Sequence, residues 1–314
     1  MPLIWHWPWR ISPGAIGATV PVSADPSRPL AETGAIVPTP PPTRNGGRWG
    51  DLGKRVGSAV VLAPLALTCL WFGKDAWTIL IAVGALGCAA EWVGMNKAKP
   101  WAWPTVLLPV GMAVLPLIDH SFGSPVALAL AALLAVIAWV IFGRDTRALW
   151  LAGGFVYLAP AVIALVRLRH LPTVGRWDMV YLVLVIWASD IGAYLVGRLV
   201  GGPKLAPAIS PGKTWSGAIG GTLAAALVGL GVAGLVSNRL PLLHCVVISI
   251  IIGIASQIGD LLESGFKRHF GVKDSGRSIP GHGGLLDRLD GMLTAAPTAI
   301  VIALLIGEGV WLWQ

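Results

Sequence analysis

The sequence predicts an all-α, polytopic helical membrane protein of about nine transmembrane helices with its N-terminus in the cytoplasm. Three observations carry that expectation. Only 12% of the 314 residues are charged while 55% are hydrophobic, with a mean hydropathy of +0.74. So few charges cannot cover the surface of a water-soluble particle of this size, and a disordered chain would be poor in apolar residues. The 40 Gly and 16 Trp fit closely packed membrane helices anchored at the water interface. From residue 51 onward, nine apolar stretches are long enough, or nearly so, to span.

Before them, residues 1–50 hold ten of the 24 prolines, including Pro40-Pro41-Pro42. That composition predicts a proline-rich disordered or polyproline-like tail. Pro8, Arg10 and Pro13 interrupt any signal-peptide core. The apolar stretches follow near 56–73, 76–94, 103–118, 125–142, 148–168, 178–199, 216–236, 241–263 and 292–313. The third is short and contains Pro109 and Pro116, which weakens it as a span. These stretches divide the chain into N-terminal transmembrane helices over 51–145 and a catalytic transmembrane region over 146–314.

The Lys and Arg distribution orients the helices. With nine spans, 18 of the 23 fall in the N-terminal tail and the even-numbered loops, and 5 on the other side. The bias predicts a cytoplasmic N-terminus, and it puts the two most unusual loops, 200–215 and 264–291, on the cytoplasmic face. The net charge of +8 is then read as loop and lipid-head charge rather than a nucleic-acid surface. Cys69, Cys88 and Cys245 lie in apolar runs without metal-ligand spacing, so packing is their expected role.

Charge concentrates where chemistry is expected. Residues 260–290 carry ten charged side chains in a chain with only 23 Lys and Arg and 15 Asp and Glu. Asp260 lies at the end of an apolar run, and Asp287 and Asp290, spaced i, i+3, open the last one. Carboxylates converging from two helices form a hard-oxygen site suited to Mg2+. Ion pairing of the acids with Arg268 and Arg288 is the plainer alternative. Between the acids, Lys267, Arg268, Lys273 and Arg277 could neutralise a polyphosphate or contact lipid heads. Gly281, His282, Gly283 and Gly284 could aim backbone N–H groups at an anion or simply form a turn before a helix.

Upstream, Ser210-Pro211-Gly212-Lys213-Thr214 suits phosphate binding before a helix. It is not a Walker A loop, because the required earlier glycine is Pro207 and no strand is expected before it. Gly229-Leu230-Gly231-Val232-Ala233-Gly234 has GxGxxG spacing, but inside an apolar run it reads as helix packing, as do Gly217 and Gly221. Asp190 lies within an apolar span and is a functional candidate, or a buried acid satisfied by a neighbouring helix. Asp190, Tyr194 and Arg198, at i, i+4, i+8, can form one polar stripe. Glu91 has a weaker claim. Ser256 and Gln257 could ligate or bond across helices. The histidines show no pairing pattern that suggests a metal site.

The 27 residues from Ser264 to Asp290, with Lys267-Arg268, Lys273-Asp274, Pro280-Gly281-His282-Gly283-Gly284 and Asp287-Arg288-Leu289-Asp290, closely resemble the signature of phosphatidate cytidylyltransferases, the CDP-diacylglycerol synthases. Ser210-Pro211-x-Lys213-Thr214 and Asp190 also resemble that family, and the likeness covers roughly residues 55–314. It implies transfer of the cytidylyl group of CTP to phosphatidate, giving CDP-diacylglycerol and pyrophosphate, in a bacterial-type inner membrane with the active site facing the cytoplasm. It also implies a helical homodimer. On the resemblance, Asp260 and Asp287 hold the catalytic Mg2+, with K+ alongside, and Asp190 and Asp290 support them. Lys267 and Arg268 join the two acids as catalytic residues. Ser210, Lys213, Thr214, Lys273, Gly281–Gly284 and Arg288 are the expected substrate contacts. Two rivals remain: a cation-coupled transporter, and a CTP-dependent lipid kinase of related architecture. A CDP-alcohol phosphotransferase is disfavoured, since no DGxxAR-type acid cluster is present.

Overall fold

The computed structural model describes residues 48–96, 103–236, 242–279, 283–307 and 310–312. The tail over residues 1–47 lies outside the described residues, as do Pro280, Gly281 and His282. The helices are α1 (Arg48–Phe72), α2 (Lys74–Met95), α3 (Trp103–Phe122), α4 (Ser124–Ile141), α5 (Thr146–His170), α6 (Gly175–Val200), α7 (Trp215–Val236), α8 (Leu242–His269), α9 (Leu286–Leu289) and α10 (Met292–Ile306). Between α6 and α7 lies an antiparallel hairpin of β1 (Lys204–Ala206) and β2 (Ser210–Thr214).

Among the described residues, seven helices, α2 to α8, are long and apolar enough to cross a membrane. Shorter apolar helices, Val60–Phe72 and Met292–Ile306, stand where the first and ninth spans were expected. The last expected span, 292–313, is not one continuous helix. It stops at Gly307, whose φ of 122° breaks the helical turn, and Leu312 then donates its N–H to the buried Asp178 carboxylate at 3.0 Å. The third stretch is helical across both prolines. The described residues are mostly helical, as the all-α expectation holds; within the loop expected over 200–215, Ser210–Thr214 is a short strand and β1 precedes it.

α5 is the most enclosed candidate span, 67% buried, and packs against α2, α3, α4, α6 and α10. Its N-terminus is capped by Asp145, which accepts from the Ala148 N–H at 2.7 Å. At its other end Arg169 reaches back and donates to the Leu70 carbonyl at 2.6 Å and the Trp71 carbonyl at 3.2 Å, satisfying the last turn of α1. Gly73, with φ 67°, leaves room for that guanidinium.

α6 and α7 meet along facing glycines. A Cβ on Gly217 would lie 2.7 Å from the Ala193 carbonyl oxygen, and one on Gly221 would lie 2.6 Å from that of Ser189. From the α6 side, a Cβ on Gly192 would lie 2.9 Å from the Gly220 carbonyl oxygen. Such small-residue faces let membrane helices pack backbone to backbone. Gly229, the first glycine of the GxGxxG run, is likewise pressed against the Ser249 hydroxyl, while Gly231 meets open space. Cys88 and Cys245 are buried and Cys69 is half-buried, and none of the three is in a disulfide.

α8 is 28 residues long, about 42 Å at 1.5 Å per residue, against a hydrocarbon layer of about 30 Å. Its surplus length carries Asp260, Glu263, Lys267 and Arg268 in the last three turns. The loop expected over 264–291 therefore begins as helix and turns only after His269.

Candidate active site

The hairpin carries the first half of the site. β1 follows α6 closely and β2 runs directly into α7, where the Thr214 hydroxyl accepts from the Gly217 N–H at 3.1 Å and caps the helix. Ser216 donates to the Gly201 carbonyl, tying the two ends of the hairpin together. Near its tip, Arg268 from α8 donates to the Ile209 carbonyl at 3.3 Å and, within its own turn, to that of Val272 at 3.3 Å. Held this way, Lys213 points at α8, and its Nζ lies 2.5 Å from Asp260 Oδ2.

A cavity of about 530 Å³ opens beside this pair, lined by Asp190, Tyr194, Arg198, Lys213, Gln257 and Asp260 among others. That volume lies within the range of small-molecule sites. The stripe read from i, i+4 spacing is present: Asp190, Tyr194 and Arg198 all face the cavity, and Arg198 donates to the Tyr194 hydroxyl at 2.9 Å. Gln257 bonds across helices, reaching the Ser189 hydroxyl at 3.1 Å and the Ala218 carbonyl at 3.2 Å.

The second half of the site centres on Lys267. Its Nζ sits 2.6 Å from Glu263 and 2.8 Å from Asp287. Glu263 is wholly buried. Asp287 also accepts from the Ser275 N–H at 3.0 and 3.1 Å and from the Gly284 N–H at 2.9 Å. Burial works to raise the Asp287 pKa. Lys267, the contact with Glu263 and the Gly284 amide outweigh it and hold the carboxyl at about 2.

Asp290 behaves in the opposite way. Burial, then the nearby charges of Asp260 and Asp190, push its carboxyl up to about 7 against the pull of the Gly291 N–H. Asp190, Asp260 and Asp290 are therefore within electrostatic reach of one another. Gly259 makes the approach possible, because a Cβ there would collide with the Asp290 carbonyl and the Thr294 hydroxyl.

The structure thus sorts the expected residues into two groups. Lys213, Asp190 and Asp260 line the cavity, Asp290 lies within electrostatic reach of the two acids, and Lys267 and Asp287 form a neighbouring ion pair. Asp260 takes Lys213 as its ion-pair partner and Asp287 takes Lys267. Thr214 spends its hydroxyl on the helix cap and Arg268 holds backbone carbonyls. Ser210 opens β2 opposite Ala206. Lys273 and Arg288 are exposed, and Gly283, with φ 86°, bridges to Ile279. Gly281 and His282 fall outside the described residues. Among the described residues no three His, Cys, Asp or Glu side chains are arranged as a ready metal cluster. The oxygen donors Asp190, Asp260 and Asp290 are nonetheless the type that Mg2+ takes.

Sequence reading undervalued Glu91. It is buried in α2 and accepts from the Ser275 hydroxyl at 3.0 Å and from the Leu285 and Leu286 N–H groups at 2.8 Å. An acid in an apolar run was the only signal for it.

Residues 53–306 match the cytidylyltransferase family. The chain belongs to the cytidylyltransferase family. Within it, the chain is 39% identical to the phosphatidate cytidylyltransferase of Brucella suis biovar 1 (strain 1330), over 82% of this chain and 95% of the relative. It is 32% identical to that of Staphylococcus aureus (strain COL), over 77% of this chain and 95% of the relative. The family match takes in both the hairpin and the signature loop, so the two halves of the site belong to one cytidylyltransferase unit.

Proposed function

We propose that this cytidylyltransferase transfers the cytidylyl group of CTP to phosphatidate, forming CDP-diacylglycerol and pyrophosphate at the cytoplasmic face of a bacterial inner membrane. The observation that carries the reading is the likeness, over 95% of their length, to relatives named phosphatidate cytidylyltransferase, on a chain whose Asp190, Lys213 and Asp260 line one cavity. The positive-inside bias supports the cytoplasmic orientation and a nine-span count, with α1 and α10 as the short members. A homodimer belongs to the reading on the resemblance alone.

The chemistry needs little from the protein beyond placement and charge. Phosphatidate is a phosphate monoester with a second pKa near 6, so at neutral pH it is mostly a dianion and needs no general base. One of its oxygens attacks the α-phosphorus of CTP. The bond from that phosphorus to the oxygen bridging the β-phosphate breaks, and pyrophosphate leaves. The barrier is the approach of a dianion to a polyphosphate, and fixed cations lower it. Lys213 and Lys267 are the placed cations: each is held on a carboxylate within the site. Asp260 and Asp287, with Asp190 and Asp290 in support, would hold Mg2+, which would supply further charge neutralisation on the phosphates. Arg198 and Tyr194 line the cavity wall and can orient a phosphate or a base there.

Purified protein in lipid-detergent micelles with labelled CTP, phosphatidate and Mg2+ tests the proposal. CDP-diacylglycerol and pyrophosphate in equal amounts are expected. With a lipid alcohol such as diacylglycerol in place of phosphatidate, release of CDP and formation of the lipid monophosphate would establish the kinase instead. Cation flux across sealed vesicles without nucleotide, and no lipid product, would establish the transporter.

A further inference from the structure

We propose that Glu91 is a positioning residue: a carboxylate from the N-terminal helices that shapes the signature loop and so sets Asp287 and Lys267 for the reaction. The inference rests on the cytidylyltransferase reading for its kinetic arm and on geometry alone for its structural arm.

Glu91 reaches across 184 to 195 residues of sequence to three donors. The Leu285 N–H reaches Oε1, and the Leu286 N–H and the Ser275 hydroxyl reach Oε2. The amides open the short helix that carries Asp287, so Glu91 fixes where that helix starts. Ser275, held through its hydroxyl by Glu91, turns its own N–H onto both Asp287 oxygens. Asp287 in turn holds Lys267. Glu91, Ser275, Asp287 and Lys267 are therefore one continuous chain of contacts, and only its far end approaches the reacting phosphates.

Two glycines show that the loop is built around this carboxylate. A Cβ on Gly276 would lie 2.7 Å from Glu91 Cγ and Oε1, and one on Gly284 would lie 2.6 Å from Oε2. Neither has the positive φ that would demand glycine on backbone grounds. Gly276 leaves space for Glu91, and Gly284 leaves space first for Ser275 Oγ and then for the Glu91 carboxylate that Ser275 holds.

Glu91 is itself well anchored. Its neighbour Trp92 is 1% exposed, donates to the Trp150 carbonyl at 2.9 Å and packs edge-on against Phe266 and Phe270. Those phenylalanines flank the end of α8, so α2 is fixed to the helix that supplies Lys267. A carboxylate with three donors loses them only at the cost of leaving buried groups unsatisfied.

The test compares Glu91→Ala, Glu91→Asp and Gly276→Ala in the full chain, by steady-state kinetics and by hydrogen–deuterium exchange. In Glu91→Ala, kcat should fall about 100-fold, the size expected from a displacement near 1 Å. The KM for phosphatidate should stay unchanged, and exchange should rise within residues 275–287 but not in α5 or α6. Glu91→Asp, which keeps the charge on a shorter arm, should recover part of kcat. Gly276→Ala should cost at least tenfold in the wild-type chain and little more in Glu91→Ala, because the colliding side chain is gone. Wild-type kcat in Glu91→Ala, unchanged exchange in the loop, or equal Gly276→Ala losses in both backgrounds would each overturn the proposal. So would loss of the whole fold in both Glu91 variants. If the wild-type chain itself forms no CDP-diacylglycerol, the cytidylyltransferase reading fails, and loop exchange still decides whether Glu91 is the clamp.

Discussion

Lys213 and Asp260 lie 2.5 Å apart, one on a hairpin strand and the other in the penultimate long helix. The pair joins two segments that sequence alone leaves as separate motifs. Both side chains also line the cavity.

Lys213→Met and Asp260→Asn should each lower kcat/KM by about 10² to 10³, the usual size for removing one charge-stabilising group. Both proteins should elute from gel filtration like the wild type. Turnover within threefold of normal in either variant would remove that residue from the reaction.

Asp287 supplies a prediction about acid. Its folded pKa, about 2, lies below its ordinary 3.8, so the folded chain binds this proton less readily than the unfolded chain. The carboxylate's contribution to stability is therefore complete above about pH 4 and is lost as pH falls through about 2. A gap of this size corresponds to about 2 kcal/mol. Asp287→Asn should lower the melting temperature in micelles at pH 7 and lose turnover. The difference from wild type should shrink between pH 4 and pH 2, and a constant difference across that window would contradict the assigned partners.

Gly217→Val and Gly221→Val should separate α6 from α7. Each new side chain would be driven into a backbone carbonyl less than 3 Å away. Overpacking of this kind costs about 1 to 3 kcal/mol. Gly231→Ala, which meets open space, is the control. Thermal denaturation checks the order: Gly231→Ala near wild type, the other two well below.

The orientation is tested at Ser278, an exposed position in the signature loop. Ser278→Cys should react with a membrane-impermeant maleimide only after inverted vesicles are prepared or cells are opened. Labelling in intact spheroplasts would place the loop outside and reverse the topology.

Much of the fold was legible because spans announce themselves by run length and apolarity. The exceptions have local causes. α10 stops early because Gly307 leaves the helical conformation. The hairpin was missed because Pro211 and Gly212 disfavour a strand, and a two-stranded edge tolerates them where a central strand would not. At the site, the signature gave the participants but not their pairings. Lys267 is one helical turn from Glu263 and 20 residues from Asp287, and its choice to bridge both depends on how the loop returns. Glu91 was nearly invisible, since its partners are backbone N–H groups and a serine far along the chain.

The glycine-paved contact between α6 and α7 has a mechanical consequence. Packed backbone against backbone along this face, with only Val196 and alanine methyls filling in, these helices form a single plate, and the hairpin strung across its end inherits that stiffness. Asp190 and Lys213 are thus marks on one ruler, at a separation fixed before any substrate arrives. Asp260 is referred to the same ruler, since Gln257, one turn before it on α8, is pinned to the Ser189 hydroxyl of α6 and the Ala218 carbonyl of α7.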